Sequence, residues 1–516
     1  MGMLVAAYVA IRLWHLTDSC LWFDEIFSVH AAEHSWNEIL PFVALDLIHP
    51  PLFYVLLKLW IGVGGESLFW LRLFPVIFAV IAIFPFNSIC RELKLDFWTR
   101  VLALFFLAIN GSLIKYAQEV RMYSLLLCLS LFSIWLFVRY FNKGNSFVPL
   151  LLINFLLVYT HYFGWLVIVS EIAAILLFQK ARWRPMLVMF VITLVSFAPW
   201  IAEIIQASQT GSGLDQNIGW MTRPGILPLI QFKLSLIEPF YYAASSVEPM
   251  SIYRVSIPLL LIFMIGVVLY FGRWRLRSEN EKQVAYLLFI FVIVPIGVAF
   301  TASWLLPYSI WGTRHLSVVF APVVILLAGV IMKISNTTVR TAALTLIFLF
   351  SCYAFVIQAN RKEPQYIWCA WEKLANELIL VPHYSPERKR LFVFEDIVAY
   401  HFWYELRDFD NYDVNVVRGV DGIVEDPAYF LPRGFDRVQS IDINQITGRE
   451  LWVAFREPKQ EPEPPGEPFF HKSLGKPVAA LGKLGFEVEE IHKIEVGGEL
   501  AYLVRMLKNP RFDQQQ

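Results

Sequence analysis

Charge is scarce in this chain and balanced where it occurs. Only 17% of the 516 residues are Asp, Glu, Lys or Arg, and 43 basic side chains face 43 acidic ones, for a formal net charge of zero. Without a basic excess there is no electrostatic footprint for nucleic acid, and none for an acidic surface. The five cysteines, Cys20, Cys90, Cys128, Cys352 and Cys369, form no CxxC pair and have no histidine at zinc-site distance. That argues against a structural metal and leaves the redox compartment open. A Gly-rich phosphate loop and a nucleophile motif are both missing from the polar C-terminal third. The opening MGMLVAAYVAIRLWHL has no small-residue cleavage site before the acidic stretch that follows, so it reads as a short first membrane helix rather than a cleaved signal.

Apolar side chains are abundant instead: 57% of residues are hydrophobic, 16% are aromatic and the mean hydropathy is +0.55. This is membrane composition. A ~30 Å hydrocarbon core takes ~20 residues to cross. Runs near that length fall at 1–17, 69–90, 98–116, 121–141, 146–161, 163–179, 185–205, 251–272, 283–304, 314–333 and 337–358. They predict an α-helical polytopic membrane protein with about eleven spans. Leu52–Ile61 is too short to count and is expected to lie on the membrane surface, with Lys58 and Trp60 near the headgroups.

Alternate connections between these runs carry the basic residues: Arg91, Lys94 and Arg100; Arg139 and Lys143; Lys180, Arg182 and Arg184; Arg273, Arg275, Arg277 and Lys282; Lys333 and Arg340. By the positive-inside rule these are cytoplasmic, which puts the N-terminus inside and the tail outside, most simply in a bacterial cytoplasmic membrane. Sorting on Lys and Arg alone also gathers five polar clusters on the outer face: DE at 24–25, HPP at 49–51, QEVRMY at 118–123, THY at 160–162 and WGTRH at 311–315. Their convergence is read as one site.

Within it, Asp24 and Glu25 emerge where the first span ends. A carboxylate there can take a proton from a hydroxyl as a bond forms, or Asp24 can simply cap a short helix. His49 precedes two prolines that fix the backbone into a rigid corner. Glu119 and Arg121 form a structural ion pair, or Arg121 binds a phosphate while Tyr123 or Gln118 bonds a sugar. His161 and Tyr162 offer neutral donors and an aromatic face, or anchor the interface. Arg314 suits a lipid phosphate, or snorkels to headgroups. His30, Glu33, His34, Glu38 and Asp46 are expected to form a solvated loop surface. A divalent metal at Asp24, Glu25 and His49 is allowed by the residue types but not required.

The order of these motifs resembles polytopic glycosyltransferases of the GT-C fold, in particular the bacterial group related to protein O-mannosyltransferases and the aminoarabinose transferases of lipid A. The matching stretches are Asp24-Glu25, HPPLFYVLLKLW (49–60), LFWLRLFPVIFAV (68–80), YAQEVRMYSLL (116–126), THYFG (160–164) and GTRHL (312–316). His315 departs from the tyrosine usual after that arginine, so no role is carried to it. The resemblance implies a sugar donor on a polyprenyl monophosphate and a glycan, lipid or protein hydroxyl as acceptor. It also implies transfer with inversion at the outer face, in cell-envelope glycan biosynthesis. Asp24 is then the base, Arg314 and Arg121 are phosphate partners, and Glu119, His49, His161 and Tyr162 are sugar or acceptor contacts. The competing reading is a transporter or flippase, which usually shows internal repeats and polar groups at mid-membrane.

After about Arg361 charges become frequent. Strands are predicted at 391–395, 414–419, 437–443, 451–455 and 500–507, and helices at 367–380, 396–406 and 473–486, with a Pro-rich linker at 458–468. This predicts a membrane domain at 1–358, with its catalytic loop at 18–51, and an extracytoplasmic α/β domain at 359–516 that caps the site or positions the acceptor.

Overall fold

Helix starts follow local capping chemistry. Ser67 accepts the Trp70 N–H at 3.3 Å, Asp96 the Thr99 N–H at 3.0 Å and Asn336 the Val339 N–H at 3.1 Å, and Ser278 with Glu281 closes a capping box. Each supplies an acceptor that the first turn of a helix otherwise lacks. In this computed structural model the described residues are 1–209, 218–219, 221–240, 253–360, 366–381, 388–420, 423, 438–458, 475–496 and 498–510. The chain divides into two compact units, Met1–Thr17 with Ser28–Lys362, and Asp18–Phe27 with Glu363–Gln516.

The first unit is a helix bundle. Among the described residues, seven helical stretches of this unit are long and apolar enough to cross a membrane: Leu68–Glu92, Tyr123–Lys143, Lys180–Ser208, Tyr253–Phe271, Glu279–Leu305, His315–Met332 and Thr337–Ala359. The chain is an integral, multi-pass membrane protein. The other four expected spans are shorter apolar helices, Gly2–Leu13, Phe97–Ile109, Phe147–Thr160 and Gly164–Phe178. The run at 98–116 stops at Asn110, whose side chain caps Leu113 and donates to the Ser235 and Leu236 carbonyls at 3.0 and 3.2 Å. A second, short helix, Gly111–Ala117, follows. Leu52–Gly64 is helical, with Phe53, Tyr54 and Leu57 fully buried along one face. Ile226–Ser235, between the expected spans at 185–205 and 251–272, is a further apolar helix that was not expected from the sequence.

The second unit carries a six-stranded sheet in the order β3-β2-β1-β4-β6-β5, formed by β1 Lys389–Val393, β2 Tyr412–Arg418, β3 Val438–Asp442, β4 Glu450–Pro458, β5 Phe486–Val496 and β6 Glu499–Lys508. The first four pair in parallel, while β6 runs antiparallel to both β4 and β5. Helices Ile367–Leu380 and Asp396–Leu406 bury Trp371, Leu374, Leu378 and Phe402 on one face of the sheet, with Leu391, Val414 and Trp452. Helix Gly475–Lys483 packs Leu481 on the other face, against Phe392, Val453 and Tyr502. Burying an aliphatic or aromatic side chain of this kind stabilises by roughly 1.5–3 kcal/mol. The strand β5 was not expected from the sequence. Most of the Pro-rich linker, 459–468, lies outside the described residues.

Candidate functional site

The stretch expected to be an acidic loop is mostly helix. Phe23–Glu33 and Ile39–Ala44 are helical, and the buried Glu25 carboxylate accepts the Trp22 N–H at 3.1 Å, satisfying one of the open donors at the helix start. Asp24, partly buried, sits in the same first turn, where a carboxylate also meets the positive end of the helix dipole. Asp18–Phe27 belongs to the second unit, while Ser28 and the remainder of this helix belong to the first. Glu33 and Glu38 are exposed as expected, but His30 and Asp46 are buried at 6% and 3% exposure and so are not solvated loop surface.

Asp46 has a partner that explains its burial. Its Oδ2 lies 2.5 Å from His49 Nδ1, and His49 Nε2 lies 3.2 Å from Arg121 Nη2. A guanidinium only donates, so Nε2 must accept and the ring proton sits on Nδ1, pointing at Asp46. Arg121 extends Nη1 to Ser28 Oγ at 3.2 Å and to Tyr54 hydroxyl at 3.3 Å. Arg121, 2% exposed, is thus held by two helices and the His49 corner. Glu119 pairs with Lys115 at 3.4 Å. Ser28 and Tyr54 were not singled out from the sequence, and Asp46 was expected on the loop surface rather than in the site. Asp46 is three residues before His49, a spacing that could have shown it.

A second set of rings surrounds this group within the first unit. His161 is 5.7 Å from His49 and 5.3 Å from His315, between ring centroids, and Tyr123 lies 6.3 Å from His161 and 6.4 Å from His315. His161 Nδ1 accepts the Phe163 N–H at 3.1 Å, so its proton is on Nε2, which is buried and has no hydrogen-bond partner among the described residues. Burial, then the charges of His315, His49, Arg121 and Arg314, hold the His161 imidazole well below its usual range and therefore neutral. Arg314, 8% exposed, precedes the short turn of helix at His315–Val319. Tyr162 is turned aside: its hydroxyl accepts from Trp200 Nε1 at 3.2 Å and reaches the Leu47 carbonyl at 3.4 Å.

Two glycines in these motifs have steric reasons. A Cβ at Gly312 would come within 2.9 Å of His315 Nδ1, and one at Gly164 within 2.8 Å of the Leu157 carbonyl oxygen. Both glycines let a turn close onto the site. The arrangement gathers buried donors (Arg121, His161 Nε2–H) with a further cation, Arg314, in a setting of low dielectric, as an oxyanion would require. Among the described residues no group of three or more His, Cys, Asp or Glu side chains is arranged to hold a metal ion.

Deeper in the bundle lies a polar group that the sequence reading passed over. Ser133, Asn154 and Glu171, from three helices, are fully buried together. A single acid in the apolar run GWLVIVSEIAAILLF was the available signal.

No family model matches the chain, and no curated protein matches its sequence. Its structure is similar to that of ArnT from Cupriavidus metallidurans in the apo state, with a TM-score of 0.56 at 10% identity and 97% of each chain covered. The same protein bound to undecaprenyl phosphate gives a TM-score of 0.56 at 11% identity, again over 97% of each chain. A looser likeness, TM-score 0.46 and 13% identity, is to the oligosaccharyltransferase AglB from Archaeoglobus fulgidus in complex with an inhibitory peptide and a dolichol-phosphate. It covers 78% of this chain and 62% of AglB, so the chain spans under two thirds of that protein. The fold is therefore the one that the motif order pointed to, a GT-C bundle followed by an α/β domain.

Proposed function

We propose that this protein is a glycosyltransferase that moves a sugar from a polyprenyl-monophosphate donor to a hydroxyl acceptor at the extracytoplasmic face of the membrane. The observation that carries the reading is the buried anion cradle of the first unit. There Arg121 is fixed by Ser28, Tyr54 and His49, and His161 presents an Nε2–H that no described residue accepts. A phosphate supplies negative charge and acceptor oxygens, which suit a buried guanidinium and a buried ring N–H such as that of His161. ArnT, whose fold is shared over nearly the whole chain, has been solved with undecaprenyl phosphate bound. The disulfide between Cys20 and Cys369 supports an extracytoplasmic second unit, since such bonds persist in oxidising compartments.

The chemistry follows from the leaving group. The acceptor oxygen attacks the anomeric carbon on the face opposite the phosphate, which inverts the configuration. The bond from that carbon to the phosphate oxygen breaks, and its electron pair leaves with the polyprenyl monophosphate, whose phosphate gains one negative charge. Arg121 and Arg314 stabilise the charge as it develops. Asp24 takes the acceptor proton. His49, Glu119, Tyr123, His161 and Tyr162 contact the sugar or hold those that do.

The test is transfer from a radiolabelled polyprenyl-phosphate sugar, with the Asp24→Asn variant beside the wild type. Loss of a general base is expected to slow turnover by about 10²–10⁴ while undecaprenyl phosphate still binds. Full turnover in Asp24→Asn removes the base from Asp24. Failure of the wild type to bind undecaprenyl phosphate at all overturns the assignment of the cradle.

A further inference from the structure

We infer that the second unit positions the proposed base, Asp24, and that Cys20 and Cys369 are positioning residues for the reaction; this rests on the reading of Asp24 given above. Residues Trp14–Trp22, which lead into the Asp24 helix, have no regular secondary structure. Their course must therefore be set by what they are tied to. Asp18–Phe27 is part of the same compact unit as the C-terminal domain, although more than three hundred residues separate them in sequence.

The tie has several strands. Cys20 and Cys369 are disulfide-bonded across a Cα separation of 5.4 Å. Trp22 lies 6.2 Å from Trp368, which stacks on Tyr366 at 4.6 Å, and Phe23 meets Tyr400 edge-on at 5.1 Å. Trp368 and Cys369 belong to helix Ile367–Leu380, whose Ala370, Trp371, Leu374 and Leu378 are locked into the core of the sheet. Tyr400 belongs to helix Asp396–Leu406 on the same face. Two rigid helices thus grip the residues on the N-terminal side of Asp24. Closing a loop of this length removes most of the freedom an untethered segment keeps. The gain matters for catalysis because misplacing a reacting group by about 1 Å costs on the order of 10²-fold in rate.

The experiment uses the full-length protein in phosphatidylglycerol nanodiscs, reduced with a phosphine and capped with N-ethylmaleimide, beside a Cys20→Ser/Cys369→Ser double variant. Hydrogen exchange at 18–27 is expected to rise about tenfold on reduction, while the helix Tyr123–Lys143 stays protected. The kcat for sugar transfer is expected to fall by about tenfold or more with undecaprenyl phosphate affinity held within about twofold. Reoxidation of uncapped wild type restores both, and the double variant responds to neither reductant nor oxidant. Unchanged exchange at 18–27 after complete reduction, as counted by mass, overturns the tie. Loosening of that segment with kcat unchanged overturns the positioning role. If oxidised wild type transfers no sugar, the functional reading fails instead, and the exchange measurement alone decides whether the second unit holds the segment.

Discussion

His49 gives its Nδ1 proton to Asp46 at 2.5 Å, and that contact decides what His49 offers Arg121. With the proton held on Nδ1, Nε2 presents a lone pair to a guanidinium N–H at 3.2 Å. Replacing Asp46 by Asn supplies an amide that can donate to Nδ1 and drive the ring into the other tautomer. Nε2–H would then oppose the Arg121 N–H. Asp46→Asn should weaken undecaprenyl phosphate binding by about tenfold, or ~1.4 kcal/mol, in a nanodisc titration. Wild-type affinity in that variant would show that the tautomer does not matter.

Arg121 tests geometry against charge. Lysine keeps the charge but cannot reach Ser28, Tyr54 and His49 from one planar fork. Arg121→Lys should therefore lose most of what Arg121→Gln loses, with transfer slower by about 10²–10³ in both. A lysine variant near wild-type rate would mean that a point charge suffices.

The second unit has two titrating groups of opposite sign on one helix. Burial pushes His401 down to about 3, so the stability it contributes is complete above its unfolded value near 6.5 and is lost as pH falls toward 3. Burial and the neighbouring Glu372 push Glu405 up to about 7, so the stability associated with it is complete below about 4.5 and is lost as pH rises through 7. His401→Phe should then stabilise this unit at pH 5, and Glu405→Gln at pH 8, each by at most ~3 kcal/mol. Hydrogen exchange of β1 in the full-length protein would report both. The opposite signs, or no pH dependence, would contradict the burial of these side chains.

How much of this was legible in the sequence depended on distance along the chain. Apolar runs announce themselves locally, so each of the eleven expected spans is occupied by an apolar helix, even where Asn110 cuts one short. The polar clusters containing His49, Arg121, Tyr123, His161 and Arg314 were found by charge sorting alone. The Cys20–Cys369 pair was not, since 349 residues separate its members and nothing local marks either. Strand β5 was hidden by its own chemistry. FEVEEIHKIEV is an edge strand next to β6, and the charges that keep such an edge from pairing further also mask its alternation.

Glu171 shows what a proton count adds to geometry. Ser133 Oγ lies 2.6 Å from Asn154 Oδ1 and 2.6 Å from Glu171 Oε1, yet a serine has one hydroxyl hydrogen to give. With an ionised carboxylate, one of these two oxygen pairs would have no proton between them. With the carboxyl protonated, every contact is served: Glu171 donates to Ser133, Ser133 donates to Asn154 Oδ1, and Asn154 Nδ2 donates to Glu171 Oε2 at 2.8 Å. Glutamine at 171 can reproduce this ring, because its amide N–H donates to Ser133 while its oxygen accepts from Asn154. Glu171→Gln should therefore leave the thermal stability of the bundle within about 1 kcal/mol of wild type, whereas Glu171→Leu strands Ser133 and Asn154 and should cost roughly 1–3 kcal/mol per unsatisfied group. Unfolding followed by tryptophan fluorescence in detergent would separate the two variants. If glutamine destabilises as much as leucine, the carboxyl is ionised and the ring is not closed as described.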